Sequence, residues 1–121
     1  MEKDFIDKRN FLMTIECVNI DVEGEYMGRG SILGNPFYMR NEKMRDEVCD
    51  KFYTYFSDRV NNGYPPFMNE LERLMKIWLD NGELKLQCFC KPKRCHTDTI
   101  REYLVWELNN RGYTVENGVI Y

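Results

Sequence analysis

The sequence predicts a small α/β domain with a layered, Rossmann-like architecture and a mostly parallel sheet flanked by helices. The length of 121 residues suits one domain. A composition of 43% hydrophobic and 31% charged residues is typical of a folded, soluble chain. Strand-like and helix-like segments alternate along the chain, as they do in α/β layers. We therefore expect one domain that spans residues 1–121.

The first half of the chain is predicted to hold a strand, a shaped loop and a helix. Residues 11–20 are rich in β-branched and large apolar side chains, which favours a strand, and residues 21–25 follow as a turn. Three glycines and a proline within residues 26–37 exclude a regular helix and predict a loop. Apolar side chains spaced by three and four then predict a helix over residues 44–56.

The second half is predicted to hold a helix, a strand, another helix and a hairpin. Residues 61–66 contain two prolines and predict a rigid linker, after which a helix begins near Asn69 as its N-cap. Residues 84–90 alternate in polarity and predict a strand. A helical apolar stripe follows over residues 96–108, and an Asn-Gly turn signal within residues 113–121 predicts a short hairpin.

Charge and hydropathy exclude several classes of protein. A net charge of −3 argues against a binder of nucleic-acid polymers, which usually has a basic excess. Residues 85–101 nevertheless carry five basic residues and one acidic residue, which favours a compact anionic ligand. No apolar run approaches the ~20 residues that cross a bilayer. Residues 1–10 lack a signal-peptide core, so we expect a cytoplasmic protein with reduced thiols and no membrane partner.

The first candidate site is the glycine-rich loop, which we define as residues 28–37 with the sequence G-R-G-S-I-L-G-N-P-F. Successive glycines allow backbone amides to converge on an anion, and arginine and serine side chains add further donors. Asparagine before proline can hold such a loop through its own side chain. The predicted ligand contacts are Gly28, Arg29, Gly30, Ser31, Gly34 and Asn35. A purely structural turn remains the alternative for this loop.

The second candidate site is the cysteine-rich segment, residues 88–98, in which a basic loop leads into a predicted helix start. Free amides and the helix dipole attract anions at such a start. The predicted ligand contacts here are Arg94, His96, Thr97 and Asp98. If the protein is an enzyme, Cys95 is the candidate nucleophile, and His96 and Asp98 are the candidate acid–base groups.

A zinc site is a further interpretation of the same segment, since Cys88, Cys90, Cys95 and His96 are all ligand types that zinc prefers. Their spacing lacks the paired C-x-x-C arrangement of structural zinc sites. We therefore assign neither a metal ligand nor a cofactor at this stage. A zinc-stapled interaction module is retained as an alternative function.

The two motifs together resemble the family called domain of unknown function 4326, small proteins frequent in phages and bacteria. The family pattern is [Y/F]-x-G-R-G-S-x-L-G-N-P-F, then R-x-x-V, then L-x-C-x-C-x-P-x-x-C-H-x-D, which residues 26–37, 45–48 and 86–98 reproduce. The resemblance covers residues 12–108. This chain departs from the pattern at Ile32, where proline is usual, and at Thr97, where glycine is usual.

The resemblance and the charge pattern together give the expected function. We expect the chain to bind a phosphorylated, nucleotide-type small molecule where the two motifs converge. In a phage the protein would sequester a host nucleotide immune signal, which the resemblance alone implies. The alternative is an enzyme that cleaves or transfers a nucleotide or ADP-ribose-like group. A homo-oligomer is also expected, with a two-fold dimer as the commonest form.

Overall fold

The computed structural model describes residues 13–121, which form a five-stranded sheet and three α-helices. In chain order the elements are β1 (Met13–Asn19), β2 (Glu25–Tyr26), a 3₁₀ helix (Glu42–Met44), α1 (Arg45–Asn61), α2 (Pro65–Asn81), β3 (Glu83–Cys88), α3 (Thr97–Asn110), β4 (Val115–Glu116) and β5 (Val119–Ile120). Residues 11 and 12 of the first predicted strand lie outside the described residues. Within residues 13–121, no helix combines the length and the apolarity needed to cross a membrane.

The sheet has the strand order β2-β3-β1-β5-β4 and is mixed. β3 pairs in parallel with both β1 and β2, whereas β5 pairs antiparallel with both β1 and β4. The predicted α/β class is confirmed. The prediction of a mostly parallel sheet is wrong, because the terminal hairpin adds its strands without the long crossover that parallel pairing needs. The described sheet therefore lacks the mostly parallel order of a Rossmann-like domain.

The hydrophobic core lies between one face of the sheet and the helices. Ile15 of β1 pairs with Leu84 of β3, and both side chains are buried on the same face. α2 and α3 contact β1, β3 and each other, which places both helices on that face. Glu16 and Lys85, the next residues along β1 and β3, point to the opposite face, where Glu16 is exposed. This one-sided burial explains the alternating polarity that predicts β3.

α2 begins at Pro65, four residues before the predicted N-cap Asn69. Proline suits the first turn of a helix, where its missing N–H has no intrahelical partner. The predicted linker therefore ends one residue before the prolines, at Tyr64. At the other end Gly82 has the left-handed φ of 76°, and its amide donates to the carbonyl of Trp78. This arrangement is a common glycine helix end.

Parallel pairing brings the two candidate motifs to one edge of the sheet. The glycine-rich loop follows β2, and the cysteine-rich segment follows β3. β2 and β3 are parallel neighbours, with Tyr26 opposite Gln87. Since the carboxyl ends of parallel neighbours lie at the same edge, both segments emerge together. The two-residue strand β2 covers the last residue of the predicted turn and the first residue of the predicted loop, and it is the element that positions the glycine-rich loop.

Candidate functional site

The two motifs meet at a cavity of about 190 Å³. The glycine-rich loop, the cysteine-rich segment and the start of α1 all contribute to its wall. Its lining residues are Gly28, Arg29, Asn35, Phe37, Met39, Arg45, Val48, Cys49, Cys88, Phe89, Cys90, Arg94, Cys95 and His96. Among these described residues three are arginines and none is acidic.

His96 joins the two motifs directly. Its Nε2 atom lies 2.6 Å from the carbonyl oxygen of Met27, the residue before the glycine-rich loop. Because a carbonyl only accepts, Nε2 carries the proton, and in the neutral ring Nδ1 has none. Nδ1 lies 3.4 Å from the sulfur of Cys95, and the ring packs edge-on against Phe52. Only 5% of the His96 surface is exposed, so the side chain is held in place and connects the two motifs.

Arg29 holds the glycine-rich loop through the backbone. Its Nη1 donates to the carbonyl of Asn35 at 2.9 Å, and its Nη2 donates to the carbonyl of Phe37 at 3.0 Å. The guanidinium also stacks over the ring of Tyr38, 4.5 Å from its centre. Both terminal nitrogens of the guanidinium therefore form hydrogen bonds within the loop, which favours a structural role for Arg29.

Ser31 and Asn35 also form hydrogen bonds within the glycine-rich loop. Ser31 donates from its hydroxyl to the carbonyl of Gly28 at 2.6 Å, and its amide donates to the same carbonyl. The side-chain oxygen of Asn35 accepts from the amide two residues later. Gly34 passes so close to Gly28 that an added Cβ would lie 2.4 Å from the carbonyl oxygen. The loop is thus a closely packed turn that needs glycine at position 34.

Arg94 and Arg45 line the cavity from the other side and are paired with carboxylates. Arg94 donates to the carboxylates of Asp46 at 2.9 Å and Asp50 at 2.8 Å. Arg45 donates to the carbonyl of Arg94 and forms a bidentate pair with Glu42. The hydrogen bonds from Arg45 lower the pKa of Glu42 to about 2. The carboxylate partners are well exposed, and such surface pairs are weak enough for a ligand anion to replace them.

Thr97 and Asp98 lie at the start of α3, where of these two only the Asp98 side chain forms hydrogen bonds within residues 13–121. Thr97 is fully buried, and its hydroxyl has no hydrogen-bond partner among the described residues. One carboxylate oxygen of Asp98 accepts from the amide of Cys95 at 3.1 Å, and the other pairs with Lys91. Neither residue reaches the cavity wall, nor do Gly30, Ser31 and Gly34. The cavity is lined by five of the predicted ligand contacts, Gly28, Arg29, Asn35, Arg94 and His96, and by Cys95, the candidate nucleophile.

Three cysteines of the cysteine-rich segment form a cluster. The Sγ atoms of Cys88, Cys90 and Cys95 all lie within 4.8 Å of one another, and none is in a disulfide. Hydrogen bonding between Cys88 and Cys95 raises the pKa of Cys88 and strongly lowers that of Cys95. Between these two cysteines, the neighbours therefore favour the ionised form at Cys95 and the protonated form at Cys88.

Sequence reasoning missed the contribution of α1 and the segment before it. Met39, Arg45 and Val48 line the cavity, although neither candidate motif contains them. The signal was present in the R-x-x-V element of the family pattern, which Arg45 and Val48 match. Phe37 and Phe89 stand inside the motifs and supply the aromatic part of the wall.

The fold and the site define a small α/β domain with a cavity between a glycine-rich loop and a cysteine-rich segment. The chain belongs to the family described as domain of unknown function (DUF4326), whose model matches residues 14–106. This match confirms the resemblance that the two motifs indicate. Comparisons with curated proteins and with solved structures found no match for the chain.

Proposed function

We propose that the protein binds a compact, phosphorylated nucleotide-type molecule in the cavity between the two motifs. The observation that carries this proposal is the charge of the wall, to which Arg29, Arg45 and Arg94 contribute, while no acidic side chain among the described residues lines it. Guanidinium groups are well suited to phosphate, which they bind through two parallel hydrogen bonds.

The size of the cavity limits the ligand. Pockets for drug-sized ligands usually measure roughly 300–1,000 Å³. The volume of about 190 Å³ is smaller, so it accepts one nucleobase or one phosphate-bearing group. The rest of a larger nucleotide would extend from the cavity into solvent.

The wall offers separate surfaces for a base and a phosphate. Phe37, Met39 and Phe89 provide apolar and aromatic contacts, on which a base can stack. Arg94 supplies the phosphate contact. Its guanidinium releases the carboxylates of Asp46 and Asp50 and binds the phosphate instead. Arg29 contributes positive charge while it keeps its loop contacts.

The biological setting of this proposal comes from the family resemblance. A phage-encoded protein that binds a host nucleotide signal without altering it would suppress the signal in the cytoplasm. The parallel β2-β3-β1 half of the sheet supports a Rossmann-like interpretation of this site, since ligands of open α/β sheets bind at the carboxyl ends of strands. A homo-oligomer is part of the same proposal.

The test is to incubate the purified protein with a mixture of nucleotides, remove unbound material, and release bound ligand by heat. Mass spectrometry should then recover an unaltered nucleotide from the wild-type protein. Arg94→Ala should recover much less. Arg73→Ala is the matched control, because Arg73 is also paired with two carboxylates, those of Glu25 and Glu70, but does not line the cavity. Absence of any retained nucleotide contradicts the proposal.

An enzyme at the same site is the second candidate function, and one contact favours it. The sulfur of Cys95 lies 3.4 Å from Nδ1 of His96, the arrangement in which a histidine activates a cysteine nucleophile. Recovery of cleaved or transferred product in the same experiment would favour this function. Cys95→Ser should then abolish the product while nucleotide remains bound.

A further inference from the structure

We propose that Cys88, Cys90 and Cys95 bind a zinc ion, with Nδ1 of His96 as the fourth ligand. This inference does not depend on nucleotide binding. The three sulfurs lie within 4.8 Å of one another, and all three cysteines are free of disulfides. Thiolate and imidazole are the ligands of structural zinc sites, which are tetrahedral and closed.

The distances suit a tetrahedral zinc ion. Zinc–sulfur bonds of about 2.3 Å place the sulfurs of a tetrahedral site about 3.8 Å apart. Sulfurs within 4.8 Å reach that separation by approaching one another by no more than about 1 Å, which side-chain rotation provides. A nitrogen and a sulfur on the same ion lie about 3.5 Å apart. Nδ1 of His96 and the sulfur of Cys95 are already 3.4 Å apart. Nδ1 is not within 4.8 Å of all three sulfurs, so the histidine ring and the other two sulfurs must approach one another when zinc binds.

The surroundings of His96 match those of a zinc ligand. A ligating histidine usually donates its second ring N–H to a carboxylate or a backbone carbonyl, which fixes the ring and frees the other nitrogen. The Nε2 atom of His96 has this contact with the carbonyl of Met27 at 2.6 Å. In the neutral form of the ring, Nδ1 is therefore the nitrogen with a free lone pair, and it faces the sulfur of Cys95.

Groups around the sulfurs can stabilise the thiolates that zinc binding would create. The amide of Cys90 donates to the sulfur of Cys88 at 3.5 Å. Arg45 supplies a cation on this side, since Arg45 and Cys90 line the same cavity. Three thiolates and one Zn²⁺ carry a net charge of −1, and a neighbouring cation stabilises that charge.

The fold explains why the sequence spacing conceals this site. Cys88 ends β3, Cys90 lies two residues later, and Cys95 and His96 directly precede α3. The loop between β3 and α3 brings these residues together without paired C-x-x-C turns. A bound zinc ion would fix this loop and, through His96 and Met27, the start of the glycine-rich loop. It would also exclude Cys95 as a free nucleophile.

The first test measures zinc in protein purified without a histidine tag and without added metal. We expect about one zinc per chain in the wild type, as for a structural site. Cys90→Ser is the main variant, because Cys90 is partly exposed and outside the core. We expect it and Cys95→Ser to lose most of the zinc. Cys17→Ser and Cys49→Ser are matched controls that should retain it, since neither cysteine belongs to the cluster.

The second test does not require a variant to fold. Wild-type protein stripped of metal by a chelator is titrated with cobalt(II), and the near-ultraviolet thiolate-to-cobalt absorption is recorded. We expect saturation near one equivalent, displacement by zinc chloride, and a rise in Tm on zinc addition. Wild-type protein that contains no zinc, shows no such absorption and has an unchanged Tm would overturn the proposal. Full zinc retention in Cys90→Ser, or equal loss in Cys17→Ser, would overturn it as well. Neither test involves a nucleotide.

Discussion

The imidazole of His96 donates to the carbonyl of Met27 across 2.6 Å, although 69 residues separate them in the chain. This bond joins the end of the cysteine-rich segment to the start of the glycine-rich loop. The ring is buried, so the bond is protected from competition with water. The only histidine of the chain therefore connects the two motifs that line the cavity.

His96→Ala should destabilise the protein. The variant loses the bond to Met27, leaves a buried carbonyl unpaired and creates a void against Phe52. We expect the free energy of unfolding to fall by about 2–4 kcal/mol, measured by urea denaturation. His96→Gln keeps an N–H donor and should lose less. A loss below about 0.5 kcal/mol in His96→Ala, the range of ordinary surface substitutions, would show that the bond does not support the fold.

Arg29→Ala should loosen the glycine-rich loop, because the guanidinium bridges the carbonyls of Asn35 and Phe37. We expect a loss of about 1–2 kcal/mol in the free energy of unfolding. Hydrogen exchange should accelerate at the amides of residues 28–37 and stay unchanged in α2. Arg29→Lys cannot bridge both carbonyls, so it should behave like alanine. If the amides of residues 28–37 exchange at the wild-type rate in both variants, Arg29 does not have this structural role.

Much of the fold follows from patterns within single segments. The stripe of Leu71, Leu74, Met75, Trp78 and Leu79 predicts α2, and all of these side chains are buried except Leu79, which is partly exposed. The Asn117-Gly118 turn predicts the terminal hairpin, and both residues have the positive φ that such turns require. The predicted start of α2 was wrong because prolines are typical both of linkers and of first helical turns. The prediction of a mostly parallel sheet was wrong because the relative direction of two strands depends on pairing between distant segments, which local patterns do not specify.

The candidate site was predictable in its location and only partly in its contacts. The motif sequences place Gly28, Arg94 and His96 at one cavity, and the structure brings them there. The partners of Arg94 and His96 were not predictable, because they come from elsewhere in the chain. The carboxylates that pair with Arg94 belong to α1, and they lie 44 and 48 residues away.

Arg94→Ala should weaken ligand binding without affecting the fold. The side chain is partly exposed, and its ion pairs with Asp46 and Asp50 contribute little to stability. We expect the free energy of unfolding to change by less than about 0.5 kcal/mol. Affinity for the nucleotide recovered from the wild type should fall by about 1.5–3 kcal/mol, measured by calorimetry. Equal affinities of the variant and the wild type would remove Arg94 from the proposed phosphate contact.

Gly34→Ala should distort the glycine-rich loop, because the new Cβ would lie 2.4 Å from the carbonyl oxygen of Gly28. The clash is with backbone and cannot be relieved by a side-chain movement. We expect a loss of at least about 2 kcal/mol in the free energy of unfolding. Gly63→Ala is the matched control, because a Cβ at Gly63 would meet no atom within 4 Å. Its only destabilising effect is that alanine must adopt the left-handed φ of 66°. This effect costs about 1–2 kcal/mol. A smaller loss at Gly34 than at Gly63 would contradict the close packing of the loop.

Cys17 should make stability depend on alkaline pH. Burial raises the pKa of the Cys17 thiol from 9.0 to about 11. Between these values the unfolded chain releases the thiol proton while the folded chain retains it, so the free energy of unfolding falls as pH rises. The full effect is about 2–3 kcal/mol at pH 11. Cys17→Ala removes the titrating group, so its stability should fall less steeply than that of the wild type between pH 9 and 11 in urea denaturation. Parallel curves for the two proteins would show that the thiol ionises equally in both states.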